Sequence, residues 1–189
     1  MRVEDLDTPV LTIDLNALET NLDRYQRYYT AHGIGLRPHI KTHKTLAVAH
    51  MQMARGAIGL TCQKIGEAEV MVGGGITSDI MIPYNILGAQ KLDRLTALAR
   101  RVERLTVAAD SAYTIRGLSA AAAAAGVKLG VVVEVETGSN RTGVTPQEAV
   151  ELGQLIEDSP GLELRGIMGF PTPPTVRPLI QEILDLFDR

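Results

Sequence analysis

The chain of 189 residues has one cysteine and no tryptophan. A single thiol excludes an intrachain disulfide framework and fits a reducing compartment, so a cytoplasmic location is expected. Aromatic residues are only 4% of the sequence, which weakens any function built on a large aromatic surface. Charge of one sign is also lacking. Nineteen Lys and Arg against 22 Asp and Glu give a net charge of −3, so no nucleic-acid partner is expected. No apolar run is long enough to span a bilayer, and no membrane association is expected. The first nine residues set Glu4, Asp5 and Asp7 against Arg2 and carry no apolar core, so no secretory signal is expected there. A Gly-x-Gly-x-x-Gly turn after the first strand is missing too, which speaks against a dinucleotide-binding doubly wound sheet.

What is present is alternation. With 45% hydrophobic and 22% charged residues, the chain can bury a sizeable core. Short Val/Ile/Leu-rich runs alternate with longer helix-like segments. A lead-in strand is expected at Val10–Ile13, after Pro9. Asp14 or Asn16 can cap a helix to about Tyr29, with Leu18, Leu22, Tyr25 and Tyr29 at helical spacing. Further strands are expected at Gly35–Ile40, Ile58–Cys62, Asp79–Pro83, Leu105–Ala109, Lys128–Glu136 and Leu162–Met168. Helices are expected between them, and a last one at Val176–Phe187. Thr145, Pro146 and Glu148 form a capping-box start. Nearly continuous apolar strands separated by helices indicate a parallel α/β sheet. The even spacing fits a partial (β/α)8 TIM-type barrel of about six parallel strands, fewer than the eight and the roughly 250 residues that such a barrel uses. An incomplete barrel is expected.

In such folds the chemistry sits at the C-terminal ends of the strands. Lys41 stands at one such end, flanked by Arg37, His39, His43 and Lys44. A positive field and partial burial both disfavour a charged amine, which is the property needed to attack a carbonyl near neutral pH. The alternative is a basic rim that binds a phosphate or nothing. His39 and His43 lie four apart but not on a helix, so they read as neighbours of Lys41 rather than as a metal pair. Arg141 lies in a turn flanked by Gly138 and Gly143, where it can donate to a phenolate or a carboxylate, or simply pair with Glu134 or Glu136. Gln63 at a strand end can orient a ring or a hydroxyl, or serve as a loop cap. Cys62 reads as a small core residue. The Gly73-Gly74-Gly75 run follows a helix and reads as its C-terminal cap rather than as a phosphate loop.

These segments resemble a known group. Arg37-Pro38-His39-Ile40-Lys41-Thr42-His43-Lys44 is similar to the lysine motif of the D-threonine aldolase and eukaryotic-type D-serine dehydratase group, within the alanine-racemase-like, fold-type III pyridoxal-phosphate enzymes. Asp7-Thr8-Pro9-Val10, Cys62-Gln63-Lys64-Ile65-Gly66-Glu67-Ala68-Glu69, Gly138-Ser139-Asn140-Arg141-Thr142-Gly143 and Arg165-Gly166-Ile167-Met168-Gly169-Phe170 match the same group, in the same order. The resemblance implies a fold like the alanine racemase N-terminal domain, with pyridoxal 5'-phosphate as cofactor. It implies that Lys41 bonds covalently to the cofactor and that Arg141 contacts its phenolic oxygen. Gln63 and His39 would lie beside the ring. Phe170 and Thr172 would face the cofactor, Phe170 at a position where the group often carries a tyrosine. Glu136 stands where an aspartate is commoner.

Members of this group continue for about the same length again. The resemblance therefore implies two parts here: residues 1–16, a lead-in strand that packs on a C-terminal β-domain in full-length relatives, and residues 17–189, an incomplete cofactor-binding barrel. The last strands, a glycine-rich phosphate loop, the ligands of a divalent metal (Mn-type) and an acid/base group would belong to the full-length protein. No metal site is expected in this chain. The implied activity is a lyase reaction on 3-hydroxy-D-amino acids, retro-aldol cleavage to glycine and an aldehyde, inactive or nearly so in this portion. D-Serine dehydration or amino-acid racemization on the same scaffold stays open, as does a non-catalytic cofactor-binding remnant. A small D-amino acid substrate is implied, with a homodimer in the full-length form.

Overall fold

The computed structural model describes residues 2–187. Five parallel strands lie in sequence order: β1 (Leu60–Thr61), β2 (Asp79–Ile82), β3 (Arg104–Ala109), β4 (Leu129–Val135) and β5 (Leu162–Gly169). Seven helices alternate with them: α1 (Leu15–Ala31), α2 (Leu46–Ala54), α3 (Ile65–Gly73), α4 (Ala89–Ala99), α5 (Ala112–Ala125), α6 (Pro146–Glu157) and α7 (Arg177–Phe187). This is the partial barrel architecture expected from the alternation.

The two faces of the sheet differ in composition because side chains alternate along each strand. On one face Leu60, Ile80 and Leu105 stand in register, as do Ile82, Val107, Val131 and Leu164. This face packs on α3 to α6 through Ala68, Leu95, Ile115, Leu118, Ala149 and Ile156. On the other face Thr61, Met81, Thr106 and Gly130 form one row, and Ala108, Val132 and Gly166 the next. Small and polar residues there suit the narrow interior of a barrel.

Local signals set the helix ends. Asp14 caps α1 by accepting from the Ala17 amide at 3.0 Å. Thr145 and Glu148 form the expected capping box of α6, with Pro146 in its first turn. The Gly73–Gly75 run ends α3, and the Gly74 amide closes on the Val70 and Met71 carbonyls. Cys62 is buried, and burial together with nearby Glu67 pushes its thiol up to about 12. It is an inert core residue, as expected.

Two expected strands are not formed. Residues 10–13 pair with no strand among the described residues, and Leu11 is 94% exposed. Local β-propensity does not make a strand without a partner ladder. Residues 35–40 do run beside β1: Leu36 accepts from the Ile58 amide, Pro38 accepts from the Thr61 amide, and His39 bridges to Thr61. Pro38 lacks the N–H that would continue the ladder, and the chain then tightens into a 3-10 turn at Ile40–Thr42. The sheet thus has five formed strands and a strand-like flank where six strands were expected. Helix α1 forms where expected; Leu18, Leu22 and Tyr29 are half-buried, while Tyr25 is 60% exposed. Leu22, Tyr25 and Tyr29 border a concavity shared with Leu36, Pro38 and His39 of the 35–40 segment.

Strands β4 and β5 show what position in the sheet does. All seven residues of β4 are buried between neighbours. In β5, which pairs only with β4, Leu162 alone is buried. The β4–β5 register shifts between Val131 and Val132, which leaves Arg165 as an extra residue on the edge strand.

Candidate active site

Lys41 lies in the 3-10 turn at the C-terminal end of the 35–40 segment. Ile40, fully buried, anchors the turn, and its carbonyl accepts from the His43 and Lys44 amides. His39 Nδ1 accepts from the Lys41 amide at 3.3 Å, and His43 Nδ1 accepts from the Thr45 amide at 3.2 Å. Lys44 has φ of 51° and reaches back to Glu67, Nζ to Oε1 3.3 Å. Glu67 is itself buried and accepts from the Gln63 amide at 2.8 Å, so it ties the Lys41 turn to the end of β1.

The positive cluster read around Lys41 is dispersed by the fold. Arg37 turns to the opposite end of the sheet and pairs with Asp79, while Lys44 is engaged by Glu67. Lys41 itself is exposed, not partly buried as expected, and forms no ion pair among the described residues. Adjacency in sequence did not translate into adjacency of charge, because the backbone alternates and turns within these eight residues. The two histidines are held neutral to lower pH than usual. Burial is the main cause at both rings, and for His39 the Lys41 charge adds to it.

Arg141 comes from the loop after β4. Glu136 organises that loop by accepting from the Ser139 amide at 2.6 Å and the Arg141 amide at 3.1 Å. Partial desolvation opposes ionisation of Glu136, but the amides of Asn140, Ser139, Gly138 and Arg141 outweigh it and hold its carboxyl below the usual carboxylate range. Thr142 Oγ1 donates to buried Glu134 at 2.6 Å, and the Gly143 amide reaches Asp110 at 3.4 Å. Gly143 has φ of 100°, and a Cβ there would lie 2.5 Å from the Glu136 and Val135 backbone. Only glycine allows the loop to fold back this closely.

The Arg141 guanidinium pairs with neither Glu134 nor Glu136, the alternative left open by the sequence. It donates to the Tyr84 hydroxyl at the end of β2 and lies 5.3 Å from the centre of the Phe170 ring. Lys41 Nζ lies 5.8 Å from the same ring. Lys41, Arg141 and Phe170 are therefore brought together. His39 and Gln63 each line a concavity that none of these three side chains borders. That of His39, about 460 Å³, lies between α1 and the 36–42 segment, and that of Gln63, about 520 Å³, lies beside Tyr84 and Asn85. Gln63 and Thr61 are polar neighbours of His39. Thr172 is exposed, two residues beyond Phe170, and its hydroxyl forms no hydrogen bond among the described residues.

Tyr84, Asp110 and Glu67 were given no role from the sequence, although each supports the group. Tyr84 and Asp110 stand at strand ends, a signal that marks them as places for chemistry without assigning a role. Their roles depend on which strands are neighbours, and spacing does not report that. Among the described residues no three His, Cys, Asp or Glu side chains gather to hold a metal ion, and no helix is long and apolar enough to cross a membrane.

A parallel strand–helix repeat with its polar side chains gathered at the C-terminal strand ends defines a domain of the (β/α)-barrel class. Within that class the chain belongs to the alanine racemase N-terminal domain family, whose model matches residues 13–173. It is 38% identical over 172 residues to a 3-hydroxy-D-aspartate aldolase of Paracoccus denitrificans, covering 90% of this chain and 44% of the relative. It resembles the crystal structure of D-threonine aldolase from Filomicrobium marinum with a TM-score of 0.85 and 44% identity, over 87% of this chain and 44% of that one. It also resembles D-threo-3-hydroxyaspartate dehydratase from Delftia sp. HT23 with a TM-score of 0.80 and 31% identity, over 94% of this chain and 49% of that one. The chain spans about half the length of the relatives it matches.

Proposed function

We propose that this chain is the cofactor-binding portion of a pyridoxal-phosphate-dependent lyase that cleaves 3-hydroxy-D-amino acids to glycine and an aldehyde. The observation that carries the reading is the convergence of Lys41 and Arg141, from loops far apart in the chain, on the Phe170 ring. An exposed amine, a guanidinium and an aromatic face suit a planar ring bearing an aldehyde and a phenolic oxygen. When bound, the cofactor supplies an electron sink for the pair released at the substrate α-carbon when the Cα–Cβ bond breaks.

In this reading Lys41, whose amine is exposed beside the Phe170 ring, would be the residue that holds the cofactor covalently. Arg141 donates to the phenolic oxygen, with its guanidinium fixed by the Tyr84 hydroxyl. Phe170 covers one side of the ring by contact alone, because it lacks a hydroxyl. His39 and Gln63 line its edge from β1 and the preceding turn, and Thr172 closes the rim after β5. The divalent metal, the phosphate-binding loop and a homodimer belong to the full-length form, in which residues 1–16 pack on a C-terminal β-domain. This chain by itself is proposed to have little or no aldolase activity. Similarity to the Delftia dehydratase supports dehydration on the same scaffold as a second reading.

Borohydride trapping with pyridoxal phosphate, followed by peptide mapping, tests the assignment, with Lys41→Ala as control. A single mark on Lys41 that the control abolishes is the expected result. Marks scattered over surface lysines and unchanged in the control would overturn the role of Lys41. Incubation with D-threonine, pyridoxal phosphate and manganese tests the activity of the chain itself. Sustained release of glycine and acetaldehyde would refute the proposed inactivity, and release of ammonia with an oxo acid would favour dehydration.

A further inference from the structure

The turn that carries Lys41 contains a repeat. His39 precedes Lys41 by two residues, and His43 precedes Thr45 by two. In both cases ring Nδ1 accepts the backbone N–H two residues on, at 3.3 Å and 3.2 Å. Asp and Asn side chains make the same bond at turns and helix starts. A histidine makes it only while Nδ1 carries no proton, so each ring is neutral with its proton on Nε2. The Thr45 bond also stands in for a cap on α2, whose N-cap Thr45 makes no side-chain capping bond.

The far edge of His43 agrees with this assignment. Its Nε2 is buried, faces the Gln52 side chain of α2, and forms no hydrogen bond; Gln52 Oε1 is likewise buried and unpaired. A proton on Nε2 opposite an amide oxygen is the arrangement in which a small adjustment satisfies both atoms. The groups facing His39 are Lys41, Glu67, Gln63 and the Thr61 backbone, and those facing His43 are Gln52 and the Thr45 backbone.

We propose that His43, oriented by Gln52, is a positioning residue for Lys41, and that His39 and His43 clamp the two sides of the 40–42 turn as neutral Nε2–H rings so that the amine is presented at the strand mouth. The inference deepens the reading of Lys41 as the covalent lysine and rests on it for its functional meaning. Neutral clamps have a chemical logic. An imidazole holds the backbone of the turn without adding charge beside the amine, and the one carboxylate that ties this turn to β1, Glu67, is engaged by Lys44 and the Gln63 amide.

Long-range nitrogen–proton NMR of the imidazole rings, on the 189-residue chain above neutral pH, reads the tautomers without any cofactor. Pyrrole-type Nε2 and pyridine-type Nδ1 are expected for both His39 and His43. A proton on Nδ1 of either ring overturns the clamp, whatever Lys41 does. The link to Lys41 is read from the rate of pyridoxal phosphate and borohydride labelling at that residue. His43→Leu removes both ring contacts and should slow the labelling about tenfold, the equivalent of one backbone hydrogen bond. His43→Asn keeps the acceptor for the Thr45 amide and should recover most of the rate. Labelling of His43→Leu at the parental rate overturns the positioning role. If His43→Leu does not fold, slowed labelling in His43→Asn as severe as in a Lys41-unreactive control overturns it equally. A parent chain left unmarked at Lys41, with both rings Nε2–H, overturns the covalent reading and leaves the clamp standing.

Discussion

At the N-terminal end of the sheet, Asp79 at the start of β2 is buried between two arginines. Arg37 grips it with both nitrogens of its fork, and Arg104 Nε approaches at 3.3 Å. At the C-terminal end, Lys41 and Arg141 form no ion pair with a carboxylate among the described residues, and both face the Phe170 ring. Carboxylates do stand near Arg141, but they are spent on its backbone and on Thr142 and Gly143. The same cationic side chains are thus neutralised where the sheet begins and left available where it ends. In a barrel the first end serves stability and the second serves chemistry. The difference shows that it is the destination of a cation's partner, rather than the density of charge along the chain, that marks a site.

The largest expected effect lies at the neutralised end. Asp79→Ala leaves Arg37 half-buried without its partner, and a loss of about 3 kcal/mol in unfolding free energy is expected from urea titration. The fraction that remains folded should still be labelled at Lys41. Loss of labelling without loss of stability would erase the division between the two ends. Gly143→Val tests the other end. Its side chain would collide with the Val135 and Glu136 backbone at a positive φ, for a cost of about 2 kcal/mol. Here proteolysis or amide exchange should be enhanced within residues 136–144, while the Lys41 turn keeps its protection. A uniform rise across the chain would mean that the two loops are one cooperative unit.

The sequence was a good guide wherever the signal is local. The caps at Asp14 and Thr145, the glycines after α3, and strands β2 to β5 rest on side chains interacting with their own backbone or on continuous apolar runs, and these fall within a residue or two of expectation. The sequence was a poor guide wherever a partner decides. Residues 10–13 have the composition of a strand and no ladder to join. The 35–40 segment has a ladder that Pro38 interrupts. In the candidate site, Lys41 and Arg141 stand out in the sequence from their setting at strand ends and, above all, from colinear motifs, and the structure sets both against one ring. The dispersal of Arg37 and Lys44 was not legible, because it depends on where Asp79 and Glu67 lie in space. The role of Tyr84 was not legible for the same reason: the guanidinium it receives comes from the loop after β4, far from it in sequence.

The smallest effect separates the two loops of the C-terminal end from each other. The Lys41 and Thr45 amides are held by neutral imidazoles, those of Ser139 and Arg141 by an ionised carboxylate. Both kinds of group bind a proton less readily in the fold than in the unfolded chain, so both contributions are complete at high pH and are lost on acidification. Their windows differ. For His39 and His43 the loss begins as pH falls through the ordinary imidazole value of 6.5 and is complete below their lowered folded values. For Glu136 nothing changes until pH approaches the ordinary carboxyl value of 4.5. On acidification from neutral pH the Lys41 and Thr45 amides should therefore begin to lose protection before those of Ser139 and Arg141. Protection factors corrected for intrinsic exchange, followed from neutral pH downward, measure this directly. Simultaneous loss in the two loops would mean that the imidazoles do not brace the turn independently. Loss in the Arg141 loop first would mean that its carboxylate, and not the pair of rings, is the more easily protonated support.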